Sequence, residues 1–297
     1  MGKTTVRPFD PHRDRPAVAR LWAAAFDDTW PVLPDALDIL GAGYVVQVGR
    51  SAAGMVGFDP LGSIVFLAVD PGHQRQGLGD RLLDRALADL RGAGAAAVRL
   101  GSGGDRYIWP GLPTTCVEAA GFFERRGWHE DDQTADLVQD LRSPDLADLA
   151  DRMAPHVPPD GVDIGLAGPR LMADVVAFED THFPQWSRYY REPHDGVLIA
   201  RDHTGAILGS LLLDGPGRAA TPYWPILGED AGAIACVGVR PDQEGRRIGT
   251  ALVAAATTLL ATRGVHRCLI DWVARVPFYT RLGYDPHRWY SMRVRPL

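Results

Sequence analysis

Lysine is almost missing from this 297-residue chain: Lys3 stands alone, and arginine supplies nearly all the positive charge. Basic residues do not dominate either, since 31 Lys and Arg face 37 Asp and Glu, for a formal net charge of −6. With no dense basic run, a nucleic-acid surface is not expected. Cysteine is scarce. Cys116, Cys236 and Cys268 form neither an even framework nor a C-x-x-C pair, which suits a reducing compartment. Cys236 and Cys268 lie in apolar runs, where a thiol acts as a small hydrophobe rather than a nucleophile. No apolar run reaches membrane-spanning length, and the charged, proline-broken start has no signal-type apolar segment. The chain is expected to be soluble and cytoplasmic, without a membrane partner.

Apolar residues, by contrast, make up 46% of the chain, enough to fill two cores without disulfide or metal. The sequence also repeats itself. Val69-Asp70-Pro71-Gly72-His73-Gln74-Arg75-Gln76-Gly77-Leu78-Gly79-Asp80 returns as Val239-Arg240-Pro241-Asp242-Gln243-Glu244-Gly245-Arg246-Arg247-Ile248-Gly249-Thr250. Each copy reads as apolar strand, proline-led turn, Gly- and Arg-rich loop, then amphipathic helix. Such a loop leaves unpaired backbone N–H groups converging at a helix N-terminus, an anion cradle suited to a pyrophosphate. A second marker repeats too: Phe122-Phe123-Glu124-Arg125-Arg126-Gly127-Trp128 matches Phe278-Tyr279-Thr280-Arg281-Leu282-Gly283-Tyr284.

The pattern predicts two similar units, 1–143 and 162–297, joined by a Pro- and Gly-rich linker over 144–161. In the first, a helix is expected from His12 to Asp27 and a hairpin pairs Val45–Val48 with Met55–Phe58 across Ser51–Gly54. Ser63–Val69 reads as a buried strand, and Leu78–Leu90 has helical spacing. The second unit repeats this order with Val162–Leu166, Pro169–Thr181, Val197–Arg201, Ala206–Leu213, Ala233–Val239, Ile248–Thr262 and Arg267–Asp271. The markers lie 58 positions apart in the first copy and 44 in the second, so about 14 more residues (58 − 44) fall in Ser102–Thr115. That aromatic stretch is expected to be an ordered flap.

The pattern Q/R-x-x-G-x-G/A after a strand resembles the acyl-CoA pyrophosphate loop of the GNAT acetyltransferase superfamily. Gln74, Gly77 and Gly79 match it in the first copy. The second departs, with Glu244 and Arg247 at two of those places, and keeps Gly249. The duplication is similar to mycothiol synthase-like tandem members, and Trp109-Pro110-Gly111-Leu112-Pro113 is loosely similar to bacterial acetyltransferases related to the acetyltransferase-like region of O-GlcNAcase. The resemblance implies an α/β (α+β) fold of two tandem domains, each a mixed, largely antiparallel sheet flanked by helices. It implies acetyl-CoA as co-substrate, no metal, and direct transfer to a small-molecule amine or amino sugar.

It further implies a central strand that splays from its neighbour and offers backbone groups to the cofactor arm and thioester. Those groups would come from Leu67, Ala68 and Val69, or from Val237, Gly238 and Val239. Phosphate contacts would come from Gln74, Arg75, Gln76, Gly77, Leu78, Gly79 and Asp80, and from Gly245, Arg246, Arg247, Gly249 and Thr250. Tyr279 would protonate the departing thiolate; Phe123 at the matching place cannot. The Arg247 guanidinium could pair with phosphate directly. The first copy is therefore read as the safer CoA binder and the second as the place of chemistry. Asp271 is the candidate base for the amine, with a helix cap or a pair with Arg275 as its alternative. The alternative function is a non-catalytic acyl-CoA- or partner-binding module; a dimerisation protein without CoA binding is weaker.

Other features read more blandly. Trp22, Phe26 and Trp30 at helical spacing suggest core. His129-Glu130-Asp131-Asp132 suggests a solvated turn rather than a metal site. The stretch from Phe178 to Trp186, with Tyr189 and Tyr190 beyond, is either an acceptor wall or a helix end packing on the sheet. Gly2-Lys3-Thr4-Thr5 lacks the glycine loop of a phosphate-binding motif.

Overall fold

The computed structural model describes residues 3–26, 30, 40–101, 108–142, 146–216 and 227–297. In chain order the elements are β1 (Thr4–Pro8), α1 (Pro11–Phe26), β2 (Ala42–Val48), β3 (Ser51–Asp59), β4 (Ser63–Val69), α2 (Leu78–Gly92), β5 (Ala97–Leu100), β6 (Leu112–Pro113), α3 (Val117–Glu124), β7 (His129–Asp140) and α4 (Leu146–Met153). There follow β8 (Val162–Leu166), α5 (Met172–His182), β9 (Gly196–Asp202), β10 (Ile207–Asp214), β11 (Ala231–Val239), α6 (Ile248–Thr262), β12 (Arg267–Val273), α7 (Val276–Thr280) and β13 (Asp285–Pro296). The mixed, mostly antiparallel sheets flanked by helices are those expected from the resemblance.

Two compact units are present, and they interleave along the chain. Unit 1 holds the described residues of Met1–Thr134 with Arg288–Leu297; unit 2 holds those of Ala135–Ala220 and Leu227–His287. Neither exchanged segment carries a signal in the periodicity that predicted the other strands.

In unit 1 the strands run β1-β2-β3-β4-β5 and then the end of β13, with β6 beside β13. All neighbours are antiparallel except β4 and β5. Alternation divides the sheet's side chains between two cores. Val46, Val56 and Ile64 join the apolar stripe of α2 formed by Leu78, Leu82, Leu83, Ala86, Leu87 and Leu90. Val45, Met55 and Ala68 join Val18, Leu21 and Trp22 of α1. Trp22 and Trp30 are core residues, as their spacing suggested. The hairpin differs from expectation. Val48 pairs with Ser51, so the chain turns at Gly49-Arg50 and Ser51–Gly54 already belongs to β3. Gly49 has φ +63°, which allows the tighter turn. His129–Asp132 is likewise not a turn but the exposed first part of β7.

Unit 2 runs β8-β9-β10-β11-β12 and then residues 135–140 of β7. Here β11 and β12 are the parallel pair. Helix α6 packs Ile248, Leu252, Val253, Ala256 and Leu260 against Leu208, Leu211 and Ile234. Helix α5 sits with the alternate residues Val197, Ile199 and Leu212, together with Tyr190.

Candidate functional site

Both repeated loops fold alike. After β4, a single 3-10 turn at Pro71–His73 leads to Gly77, which precedes α2 with φ 73° and ψ 13°. After β11, Pro241–Gln243 leads to Arg247, which precedes α6 with φ 66° and ψ 11°. A second left-handed residue lies two places earlier, Arg75 (φ 60°) in one loop and Gly245 (φ 80°) in the other. Glycine and arginine have thus exchanged places within one backbone path. Neither helix start has a side-chain cap, so the first N–H groups of α2 and α6 face the exposed loop. Gln74 donates through Nε2 to the Val69 carbonyl at 3.1 Å and braces the first loop from behind. Asp80 forms an ion pair with Arg126, whose guanidinium lies 3.6 Å from the Phe122 ring centre.

A packing contact explains why loop and downstream marker recur together. A Cβ on Gly79 would meet the Phe122 ring at 3.4 Å, and one on Gly249 would meet Phe278 at 3.5 Å. Each glycine is the seat of its marker's aromatic ring. Gly77 and Gly245 have no such neighbour; their positive φ favours glycine without requiring it, since Arg247 and Arg75 take the same conformation in the other copy.

Each unit also contains a fork. β4 pairs with β5 only at Ser63 and Ile64, and β11 with β12 only from Ala231 to Ala233. Beyond these points the central strand has a partner on one side. The Asp70 N–H bonds the Ala53 carbonyl at 2.8 Å, so ladder alternation turns Ala68 toward β3 and Leu67 and Val69 toward the open side. The Arg240 N–H bonds the Leu208 carbonyl at 2.8 Å, which turns Gly238 toward β10 and Val237 and Val239 toward the open side. A Cβ on Gly238 would lie 2.6 Å from the Phe183 ring, so the stretch after α5 packs directly on β11.

The two forks are lined differently. In unit 2 both lips are bulged. Ser210 pairs with Gly238 and Leu212 with Ala235, leaving Cys236 and Val237 opposite Leu211. On β12 the register shifts between Ile270 and Val273, leaving Asp271 and Trp272 opposite Asp136. Cys236 (φ 53°) and Trp272 (φ 48°) are the remaining two of four described non-glycine residues with positive φ. Each is held in place: the Tyr190 hydroxyl donates to the Cys236 carbonyl at 2.9 Å, and the Trp272 N–H donates to Asp136 Oδ1 at 3.2 Å. Strain of this kind costs roughly 1–3 kcal/mol per residue and clusters at functional sites. Burial, with the nearby charges of Asp271 and Cys236, raises the Tyr279 pKa above its ordinary value. The Tyr189 phenol is raised mainly by burial, with the same two neighbours contributing. Tyr279, Asp271, Tyr189 and the Cys236 bulge therefore share one neighbourhood. Burial pushes the Cys268 thiol up to about 12 and Cys236 well above the thiol range, so neither is a ready nucleophile.

In unit 1 the corresponding space is aromatic. Phe66, in register with Cys236, stacks on Trp22 at 5.5 Å, and Trp22 stacks on Trp109 at 5.3 Å. Gly101 stands where β12 carries Asp271, and a Cβ there would lie 2.6 Å from the Trp109 carbonyl. A cavity of about 90 Å³ remains, lined by Ile64, Phe66, Leu67, Gly101, Cys116 and Phe123 among others. Trp109 and the Leu112–Pro113 strand are thus built into this unit, while residues 102–107 of the expected flap, including Arg106 and Tyr107, lie outside the described residues. Sequence reasoning missed Ser210, Asp136 and the roles of Tyr190 and Glu179. A polar residue inside an apolar strand, as Ser210 is in Leu208–Leu213, was the one available signal. No cluster of three or more His, Cys, Asp or Glu that could hold a metal occurs among the described residues.

Comparison with known proteins agrees with this duplication. The model of the acetyltransferase (GNAT) family matches residues 169–284, and that of the acetyltransferase (GNAT) domain matches 40–130. A mycothiol acetyltransferase of Kineococcus radiotolerans is 34% identical over 224 residues, 74% of this chain and 68% of that protein. Another, of Clavibacter sepedonicus, is 30% identical over 220 residues, 69% of this chain and 66% of that protein. The chain thus spans about two thirds of the length of these relatives. Among solved structures, the GCN5-related glucosamine N-acetyltransferase region of a fungal multi-domain GH3 β-N-acetylglucosaminidase matches with TM-score 0.85 and 28% identity, over 99% of this chain and 38% of that one.

Proposed function

This chain belongs to the acetyltransferase (GNAT) family, and we infer that it transfers acetyl from acetyl-CoA to the amine of a small molecule, with an amino sugar as the leading acceptor class. The observation that carries this reading is the strained fork of unit 2, whose strands bulge at Cys236 and at Asp271-Trp272, with the uncapped start of α6 following β11. The glucosamine N-acetyltransferase likeness supports the amino-sugar class, and the mycothiol acetyltransferase relatives support a small-molecule acceptor.

On this reading the α6 N-terminus, Gly245, Arg246, Gly249 and Thr250 hold the pyrophosphate, with Arg247 adding its guanidinium. Val237 and Val239 present backbone groups to the pantetheine arm and thioester carbonyl. Asp271 takes the amine's proton, directly or through water. The amine nitrogen then attacks the carbonyl carbon; a C–N bond forms, the C–S bond breaks, and the thiolate departs against the Tyr279 hydroxyl. The raised pKa keeps the phenol protonated but also weakens it as an acid, so Tyr279 eases departure chiefly as a hydrogen-bond donor to the sulfur.

Unit 1 is read as a cofactor-binding copy without chemistry. Its loop, with Gln74, Arg75, Gln76, Gly77, Leu78 and Gly79, keeps the cradle. Its fork offers Phe123 and Gly101 in place of Tyr279 and Asp271, and aromatic rings fill the acceptor side. Calorimetric titration with acetyl-CoA, then thiol release across a panel of amines including glucosamine, tests the assignment. Folded protein that binds no acetyl-CoA would refute it.

A further inference from the structure

The Cys236 bulge is held by groups the reaction above does not use. Because the strand bulges, the Cys236 carbonyl leaves the β10–β11 ladder and takes the Tyr190 hydroxyl instead, at 2.9 Å. The same hydroxyl lies 3.3 Å from Ser210 Oγ, and Ser210 in turn donates to Glu179 Oε1. Tyr190, Ser210 and Glu179 are all buried. Glu179 Oε2 finds no hydrogen-bond partner of normal geometry among the described residues. A polar chain therefore runs from α5 through β10 to one carbonyl of the central strand, inside an otherwise apolar layer of Val175, Val197, Ile199 and Leu212. Such a chain is costly to bury.

The carbonyl matters because of the peptide it belongs to. No peptide in the described chain is cis, so the Cys236 C=O and the Val237 N–H point in opposite directions. Holding the carbonyl toward α5 holds the N–H toward the fork, where β12 has diverged. In unit 1 the matching residue, Phe66, has no positive φ and stacks on Trp22.

We propose that Tyr190, backed by Ser210 and Glu179, is a positioning residue that aims the Val237 N–H at the thioester carbonyl of bound acetyl-CoA. This rests on the reading of unit 2 as the place of chemistry. Tyr190 touches no reacting atom. Removing its hydroxyl leaves the phosphate loop intact and releases the peptide plane, so binding survives while polarisation of the carbonyl is lost.

The test needs no acceptor. Infrared difference spectra of acetyl-CoA carrying 13C at the carbonyl are recorded on the full-length protein and on Tyr190→Phe. Bands from unit 1 are common to both and cancel. The wild-type carbonyl band is expected below that of free acetyl-CoA, and in Tyr190→Phe it returns toward the free value with affinity within about twofold. Ser210→Ala, which leaves Glu179 to compete for the Tyr190 proton, is expected to shift the band the same way by less, and keeps the test open if Tyr190→Phe does not fold. With an acceptor in hand, Tyr190→Phe lowers kcat by on the order of a hundredfold at unchanged KM for acetyl-CoA. An unshifted band in both folded variants overturns the positioning role alone. Absence of any bound band in the wild type overturns the functional reading as well.

Discussion

The two copies bury a carboxylate beneath their first helix and treat it in opposite ways. In unit 1, Asp14 of α1 receives two hydrogen bonds from the Arg7 guanidinium, at 2.6 and 2.7 Å, and a third from the Asp10 N–H at 2.9 Å. In unit 2, the hydrogen-bond partners of Glu179 of α5 among the described residues are hydroxyl groups. The first arrangement stabilises; the second tolerates a cost at the edge of the fork. The forks differ in the same sense. Both central strands bulge, at Val65 and at Cys236, but unit 1 packs stacked rings there, whereas unit 2 has positive φ at Cys236 and a second bulge, with positive φ at Trp272, on β12. After duplication, one copy has the marks of a stable binding platform and the other those of a strained reaction site.

That contrast can be broken from the stable side. Asp14→Ala removes the buried partner of Arg7 and leaves Asp10 as its remaining counter-charge, so about 3 kcal/mol of stability, the low end for breaking a buried pair, should be lost. Denaturant melts followed by hydrogen exchange should place the weakening in unit 1. An equal loss of protection in unit 2 would show that the copies do not hold their stability separately.

From the other side, Glu179→Gln should stabilise. Burial pushes the Glu179 carboxyl up to about 7, only partly offset by the Ser210 and Tyr190 hydroxyls. A raised carboxyl favours the folded state when protonated. Its contribution is therefore complete below the ordinary Glu range and is lost as pH rises through about 7. Ionising it in place costs about 3 kcal/mol. The variant should outlast the wild type by up to that amount above pH 8 and match it at about pH 4 and below, as read from melts across pH. A gap that does not change with pH would place the charge elsewhere.

The chemical asymmetry is smaller in energy and sharper in meaning. Tyr279→Phe should lower kcat about 10²-fold, because thiolate departs from a thioester readily and the acid only assists. Adding Phe123→Tyr to that variant should restore nothing, since the unit 1 fork has no carboxylate at Gly101. Partial rescue would mean that both copies perform chemistry.

Much of this was legible before any coordinates. Val-x-Pro, the glycines and the aromatic-x-x-x-Gly-aromatic marker predicted both loops and the helices after them, because φ constraints and helical periodicity are local. The Gly79–Phe122 and Gly249–Phe278 contacts show why two separate motifs recur as a set. The strand exchange was not legible. β7 opens with five exposed polar residues, and β13 mixes arginine with buried Tyr290 and Met292, so neither reads as a core strand. Asp136 and Glu179 were equally hidden, since a lone acid in sequence is read as exposed. The bulges at Cys236 and Trp272 depend on partners on other strands and helices, which no window of sequence contains.

The smallest expected effect bears on the loops themselves. Arg247→Gly would put glycine at both left-handed positions of the second cradle, where the first has it at one. Relief of left-handed strain, roughly 1 kcal/mol, is offset by the added freedom of glycine in the unfolded chain, so stability should hardly change. Affinity should. If the guanidinium pairs with the pyrophosphate, losing one charge-assisted contact of about 1.5 kcal/mol should weaken acetyl-CoA binding in unit 2 about tenfold. Unit 1 would be untouched, so a two-site titration should show the two constants moving apart. Tighter binding instead would make Arg247 an obstruction. In that case the two cradles would differ by steric access rather than by charge, and unit 1 would be the better pyrophosphate site for that reason alone.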